Sequence, residues 1–303
     1  MVVFLRLVRV TLSPLVAVCL SVVGCGPDEG TRVSPETGDI GGQLVDICTM
    51  LDSSLDRGSG HDCEPYRIVS VIEPGRLEDL VRDKPVTHGL GDDPVDGGRR
   101  FSGADGDVVL ATIGADESDL FNPGGGRFAF QAWLTLDRRE LDALRSTRQP
   151  SWNVVQRGFA DSPGGQWKMS LVTVDGQVQA QCVVRDAAGE VLRVHSRYRF
   201  QPDAEVTISC LFDDVVNELS VVVNRQGGDR DRSTDSGRPF GDVAPRPSGS
   251  DCRAEAAGLV AVGNKPSCGS TGPTDEDRFQ GTIRQVRILA DTVVPLPAPS
   301  SRQ

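Results

Sequence analysis

Between residues 128 and 212, apolar and polar positions alternate in short runs separated by turn residues. Phe128, Phe130, Ala132, Leu134 and Leu136 alternate with Ala129, Gln131, Trp133, Thr135 and Asp137, the two-residue period of a strand buried on one face. Residues 166–174 repeat the pattern through Trp167, Met169 and Leu171. Asp175-Gly176 then predicts a tight hairpin turn, because Asp and Gly tolerate the positive φ that such turns need. The next strand places Val178, Ala180, Cys182 and Val184 on one face. After a second turn over 186–189 come strands over 191–196 and through Val206, Ile208, Cys210 and Phe212. The pattern is an antiparallel meander.

The flanks read differently. Leu44, Ile47, Cys48 and Leu51 recur at helical spacing and predict a short amphipathic helix. A strand is expected over 66–72 and a further turn of helix over 74–81. Residues 43–85 together read as a small, disulfide-closed N-terminal segment beside the main domain. Strands are also expected over 219–223 and 259–263. Between them, residues 225–257 read as a long polar insertion rich in Gly, Asp, Arg and Pro, the kind of loop that is usually functional or mobile. Residues 293–303 read as a disordered tail.

Composition narrows the class. Gly (34) and Pro (19) are plentiful, as expected of short strands joined by turns. The first 24 residues hold Arg6 and Arg9 and no acid, leaving 30 basic residues against 43 acidic ones in the remainder. That balance argues against nucleic acid or an anionic lipid surface as a partner.

Residues 1–24 read as an export signal, with two arginines ahead of an apolar run over 12–23. Val22-Val23-Gly24-Cys25 resembles a bacterial lipobox, which implies lipidation of Cys25; cleavage near Gly24 with plain secretion is the alternative. Either way the expected location is outside the cytoplasm, with any membrane attachment through the lipid alone. Residues 25–42 form a polar tether with little to bury and are expected to be disordered. With Cys19 removed and Cys25 lipidated, six cysteines remain, an even number that suggests disulfides in an exported chain. Six cysteines allow 15 pairings. The layout favours neighbours: Cys48 with Cys63, Cys182 with Cys210 on strands of matching inward parity, and Cys252 with Cys268 across a long loop. Zinc is disfavoured, since no close C-x₂₋₄-C pair occurs and His61, His88 and His195 are scattered.

Several segments, taken in order, resemble one family. Gly97-Gly98-Arg99-Arg100-Phe101-Ser102-Gly103-Ala104-Asp105-Gly106-Asp107-Val108 is similar to the opening strand of laminin-G-like domains in the concanavalin A-like lectin/glucanase superfamily. Leu120-Phe121-Asn122-Pro123, Asn153-Val154-Val155-Gln156-Arg157-Gly158, Gln166-Trp167-Lys168-Met169 and Val262-Gly263-Asn264-Lys265 resemble later family segments. Residues 275–288 resemble the closing strand. The likeness covers roughly residues 90–290 and implies an all-β jelly-roll sandwich of two antiparallel sheets over 86–292. The pair Cys182 and Cys210 also resembles a version found in secreted actinobacterial proteins. Two departures stand out. Glu205-Val206-Thr207 replaces a family Trp segment, and Arg284-Gln285 stands where the family often has two acids that contribute to a calcium site.

Candidate chemistry is sparse. Glucan hydrolases of the superfamily carry alternating carboxylates on one strand, a spacing that puts them on one face for retaining hydrolysis. Glu117-Ser118-Asp119 lacks a third member, and Asp275-Glu276-Asp277 has the wrong spacing, so no glycosidase is expected. His195, in an Arg-rich strand, has no nucleophile motif beside it. Calcium is the remaining candidate cofactor, with Asp105, Asp107 and Asp277, joined by Asp275, as oxygen ligands on strands that the resemblance places side by side. Trp133 and Trp167 read as packing residues, whereas Trp152, in an expected loop after Pro150, is the candidate ligand contact. The resemblance implies a non-catalytic binding module for glycan or an envelope protein; the alternatives are a divergent glycan-active hydrolase, or an interaction module that binds no sugar and uses the 225–257 loop.

Overall fold

The computed structural model of the chain describes residues 44–46, 65–80, 82, 84–88, 94–95, 98–104, 107–114, 118–123, 126–146, 151–160, 163–225, 230–237, 243, 245, 258–265 and 277–291. They fall within one compact unit, Asp39–Gln303. In chain order the first strands are β1 (Leu44–Asp46), β2 (Pro65–Glu73), β3 (Glu78–Asp79), β4 (Lys84–His88), β5 (Pro94–Val95), β6 (Gly98–Ser102) and β7 (Val109–Ala111). A 3-10 turn (Ser118–Phe121) leads to β8 (Arg127–Thr135), helix α1 (Arg138–Ser146), β9 (Ser151–Gly158), β10 (Gln166–Val174), β11 (Gln177–Arg185) and β12 (Val191–His195). The remaining strands are β13 (Glu205–Asp213), β14 (Glu218–Arg225), β15 (Arg230–Ser236), β16 (Val260–Val262) and β17 (Gln280–Asp291).

All pairings are antiparallel and form two sheets. The first runs β15-β14-β13-β8-β17, with β6 and β2 in tandem along the far side of β17. Strands β1 and β3 extend β2, and β5 extends β6. The second runs β12-β11-β10-β9-β16-β7-β4. The two sheets pack face to face as a jelly-roll sandwich.

Alternation decides which face each strand buries. Phe128, Phe130, Ala132 and Leu134 of β8 pair with Phe212, Cys210, Ile208 and Val206 of β13, and all are buried. Across the core, Trp167, Met169 and Leu171 of β10 pair with Val184, Cys182 and Ala180 of β11. Trp167 sits at the centre, its ring 4.7 Å from Phe130 and 5.5 Å from Phe128. Its indole N–H would be costly to bury unpaired; it donates to the Phe121 carbonyl at 2.9 Å. The expected turn at Asp175-Gly176 is present with φ of 50° and 71°, the positive pair of a type I′ hairpin.

Several expectations are corrected. Leu44 and Val45 are not helical: β1 pairs with β2, Leu44 opposite Arg67. An isolated helix of one or two turns is marginal in water, whereas an open strand edge supplies backbone partners at once. The segment after Glu73 is a turn and not a helix, with the Arg76 and Leu77 amides both donating to the Glu73 carbonyl. Strand β2 belongs to the main sheet, where it pairs with β17, so the sandwich begins well before residue 86. The polar insertion after Arg225 contains β15, which pairs with β14 along its whole length. Helix α1 has no counterpart in the sequence expectations, although Asp137-x-x-Glu140 is a capping-box pattern. The Asp137 amide donates to the Glu140 carboxylate at 2.7 Å, and the Glu140 amide to that of Asp137 at 2.8 Å.

At one side of the sandwich the sheet edges meet. The outward amides of Arg193 and Arg197 donate to the carboxylates of Asp235 (3.4 Å) and Asp231 (2.6 Å) on β15. Side chains of one sheet thereby satisfy the bare edge of the other, which an unpaired strand would otherwise offer to a second chain.

Candidate functional site

Two of the acids expected to hold calcium, Asp107 and Asp277, meet protein cations and amides instead. Asp107 is buried, accepting from the backbone amide (2.6 Å) and hydroxyl (3.0 Å) of Ser102, with Arg99 at 3.8 Å. Asp277 is clasped by two ammonium groups, Lys168 at 3.1 Å and Lys265. Burial pushes the Asp277 carboxyl up, but Lys168 and Lys265 more than reverse this and hold it below the ordinary carboxylate value. A divalent cation at that carboxylate would have to displace both lysines. Asp105 and Asp275 lie outside the described residues. Among the described residues no three His, Cys, Asp or Glu side chains gather as metal ligands.

Trp152 is corrected as a contact residue. It stands in β9 and not in a loop, is 2% exposed, and packs edge-on to Phe279 at 6.2 Å. Trp167 is core, as expected. Trp133 faces outward from β8, with the Arg287 guanidinium 4.6 Å from its ring centre. Cys182 and Cys210 are bonded, with Cα atoms 5.7 Å apart. Cys25, Cys48, Cys63, Cys252 and Cys268 lie outside the described residues.

The outward face of the second sheet gathers polar side chains in rows across its strands. Strand register aligns Asn153, Ser170, Gln181 and His195 on β9, β10, β11 and β12. A parallel row holds Gln156, Lys168, Val183 and Arg193. The β9–β10 half is buried: the Asn153 backbone amide donates to the Asp277 carbonyl and its side-chain amide to the Asn264 carbonyl, both at 3.1 Å. The β11–β12 half is more open: Gln181 and His195 are half-buried and Arg193 is exposed, although Val183 is buried.

Hydrogen bonds orient the open half. The Ser170 hydroxyl donates to Gln181 Oε1 at 3.3 Å, which turns the Gln181 amide nitrogen toward His195 Nε2. With Nε2 accepting, the ring proton resides on Nδ1. Burial lowers the His195 pKa, and the neighbouring Arg193 charge lowers it further, so the imidazole is neutral at pH 7. The row therefore offers polar groups without a general base poised against a nucleophile: Ser170 is fully buried and donates to Gln181, not to His195. Such an arrangement can hold hydroxyl-bearing ligands.

No family model and no curated protein matches the chain. Among solved structures it is similar to full-length tailspike protein 2 of Escherichia coli O157:H7 bacteriophage CAB120, at 13% identity and a TM-score of 0.39 over 63% of this chain. The LG1-3 region of the laminin alpha2 chain is 10% identical, with a TM-score of 0.40 over 69% of this chain. The CBM40 of the Ruminococcus gnavus IT-sialidase is 9% identical, with a TM-score of 0.36 over 67% of this chain and 90% of its own. The chain spans 22% of the tailspike and 34% of the laminin fragment. The sandwich is defined by its own strand pairing; likenesses of this depth name neither a family nor a ligand.

Proposed function

We propose that the chain is an exported, non-catalytic glycan-binding module, held at the bacterial cell surface through a lipid on Cys25. The observation that carries this reading is the open polar row of Gln181 and His195 on the outward face of the second sheet, backed by Ser170. Amide and neutral imidazole edges fixed on rigid strands suit sugar hydroxyls, which need directional partners and little charge. A jelly roll does not by itself fix a function, so the site and not the fold carries the argument.

The test is a glycan array probed with the full, oxidised chain and with a Q181A/H195A variant of unchanged melting temperature. Binding by the native chain that the variant loses supports the reading. A blank array from folded protein, or binding the variant retains in full, overturns it and turns attention to an envelope protein as partner. Cell fractionation of native protein against Cys25→Ser tests the anchor, which requires membrane association in the first and release in the second.

A further inference from the structure

From Val191 to Phe200 the chain alternates without interruption. Leu192, Val194, Ser196, Tyr198 and Phe200 point inward and are buried, while Arg193, Arg197 and Arg199 are exposed and His195 is half-exposed. The segment stays pinned beyond the end of β12. The Ser196 amide donates to the Ala180 carbonyl at 2.8 Å, and the Tyr198 and Phe200 rings pack edge-to-face at 5.3 Å. Among the described residues none of these three guanidiniums forms an ion pair. Alternate residues of an extended chain repeat about every 7 Å. The result is a row of exposed cations along one segment of a molecule whose formal charge is −11.

Two acids of β15 face this row. Asp231 and Asp235 direct their carboxylates to the backbone amides of Arg197 and Arg193, not to the guanidiniums. The charged row meets the polar row at His195, because Arg193 and His195 lie opposite Val183 and Gln181 on the same outward face.

We propose that Arg193, Arg197 and Arg199 form a docking strip for an acidic polysaccharide, whose hydroxyls are read by Gln181 and His195. This rests on the glycan reading above and specifies its ligand class. Arginine favours carboxylate and sulfate through forked, charge-assisted hydrogen bonds. A polymer with one charge per sugar matches a sparse row of cations. Nucleic acid fits less well: a duplex carries one charge per ~1.7 Å and demands a broad basic footprint, which a chain of pI ≈ 4.8 lacks.

The experiment measures binding of the full oxidised chain to polygalacturonate, its fully methyl-esterified form, dextran sulfate and a thymidine oligonucleotide. R193Q/R197Q/R199Q is compared with R138Q/R139Q, an exposed control pair on α1. We expect binding to polygalacturonate or dextran sulfate that weakens with salt and drops ~10-fold or more in the triple variant, with the control unchanged and the ester bound weakly. Hydrogen exchange on the unmodified chain should show residues 193–199 protected by the bound polymer, a readout independent of any variant's folding. Unchanged affinity in the triple variant, equal binding of the ester, or no protection overturns the proposal. So does tighter binding of the oligonucleotide. Neutral glycans bound through Gln181 and His195, with both acidic polymers ignored, would remove the strip and leave the glycan reading standing. Failure of every glycan removes both.

Discussion

Cys182 and Cys210 are bonded across the core, tying β11 of one sheet to β13 of the other over a separation of 28 residues. Both cysteines lie on inward-facing positions, Cys182 opposite Met169 and Cys210 opposite Phe130, so the bond adds a covalent link where the sheets already pack. Closing a loop of this length restricts the unfolded chain by about 3–4 kcal/mol. Denaturant unfolding of C182A/C210A should show a loss of that order. A midpoint shared with the oxidised protein would show that the bond contributes nothing.

Helix α1 is fixed by a reciprocal cap, Asp137 and Glu140, with Arg100 reaching both carboxylates at 2.8 and 2.7 Å. Its inner face buries Leu141 and Leu144. Replacing Asp137 with Ala removes the acceptor for the Glu140 amide and should cost about 1 kcal/mol. Amide exchange in the first turn of α1 would rise with it; an unaltered first turn would count against the cap.

Asp277 draws Lys168 and Lys265 together, and its folded pKa lies below the ordinary 3.8. A depressed carboxyl contributes stability that is complete above the unfolded value and is lost as pH falls through the folded one. The native protein should therefore lose stability more steeply below about pH 4 than D277N does. At neutral pH, D277N leaves two ammonium groups facing each other and should be destabilised by about 1–3 kcal/mol. Because the lysines hold this carboxylate, saturating calcium should not raise the native melting temperature. A calcium-dependent rise would restore the metal site.

The edge contact between β15 and β12 makes a local prediction. D231A/D235A should speed hydrogen exchange at the Arg193 and Arg197 amides while leaving central β10 amides protected. Exchange at Arg193 and Arg197 that stays slow would place the closure of this edge elsewhere.

What the sequence determined by itself was the meander and its inward face. Alternation in β8, β10, β11 and β13 assigns the side chains that enter the core between the sheets, because a buried strand face has a period of two and a slip would expose it. The Asp175-Gly176 turn and the shared parity of Cys182 and Cys210 follow from the same pattern. The Arg193-x-His195-x-Arg197-x-Arg199 period was equally visible, although its place beside Gln181 was not.

Only the tertiary structure decided the rest. Leu44 belongs to a set with helical spacing yet stands in a strand, because β2 offers an edge to pair with. Trp152 enters the core because Val154 is an extra residue in β9: the pairing passes from Asn153–Ser170 to Val155–Met169, so Trp152 and Val155 both point inward. No period of two reveals a bulge. Asp277 is compensated by lysines 109 and 12 residues away, a meeting set by sheet packing and by no local signal. Local pattern fixes which face of a strand is apolar; which strands become neighbours, and which charges then confront one another, is settled only when the sheets close.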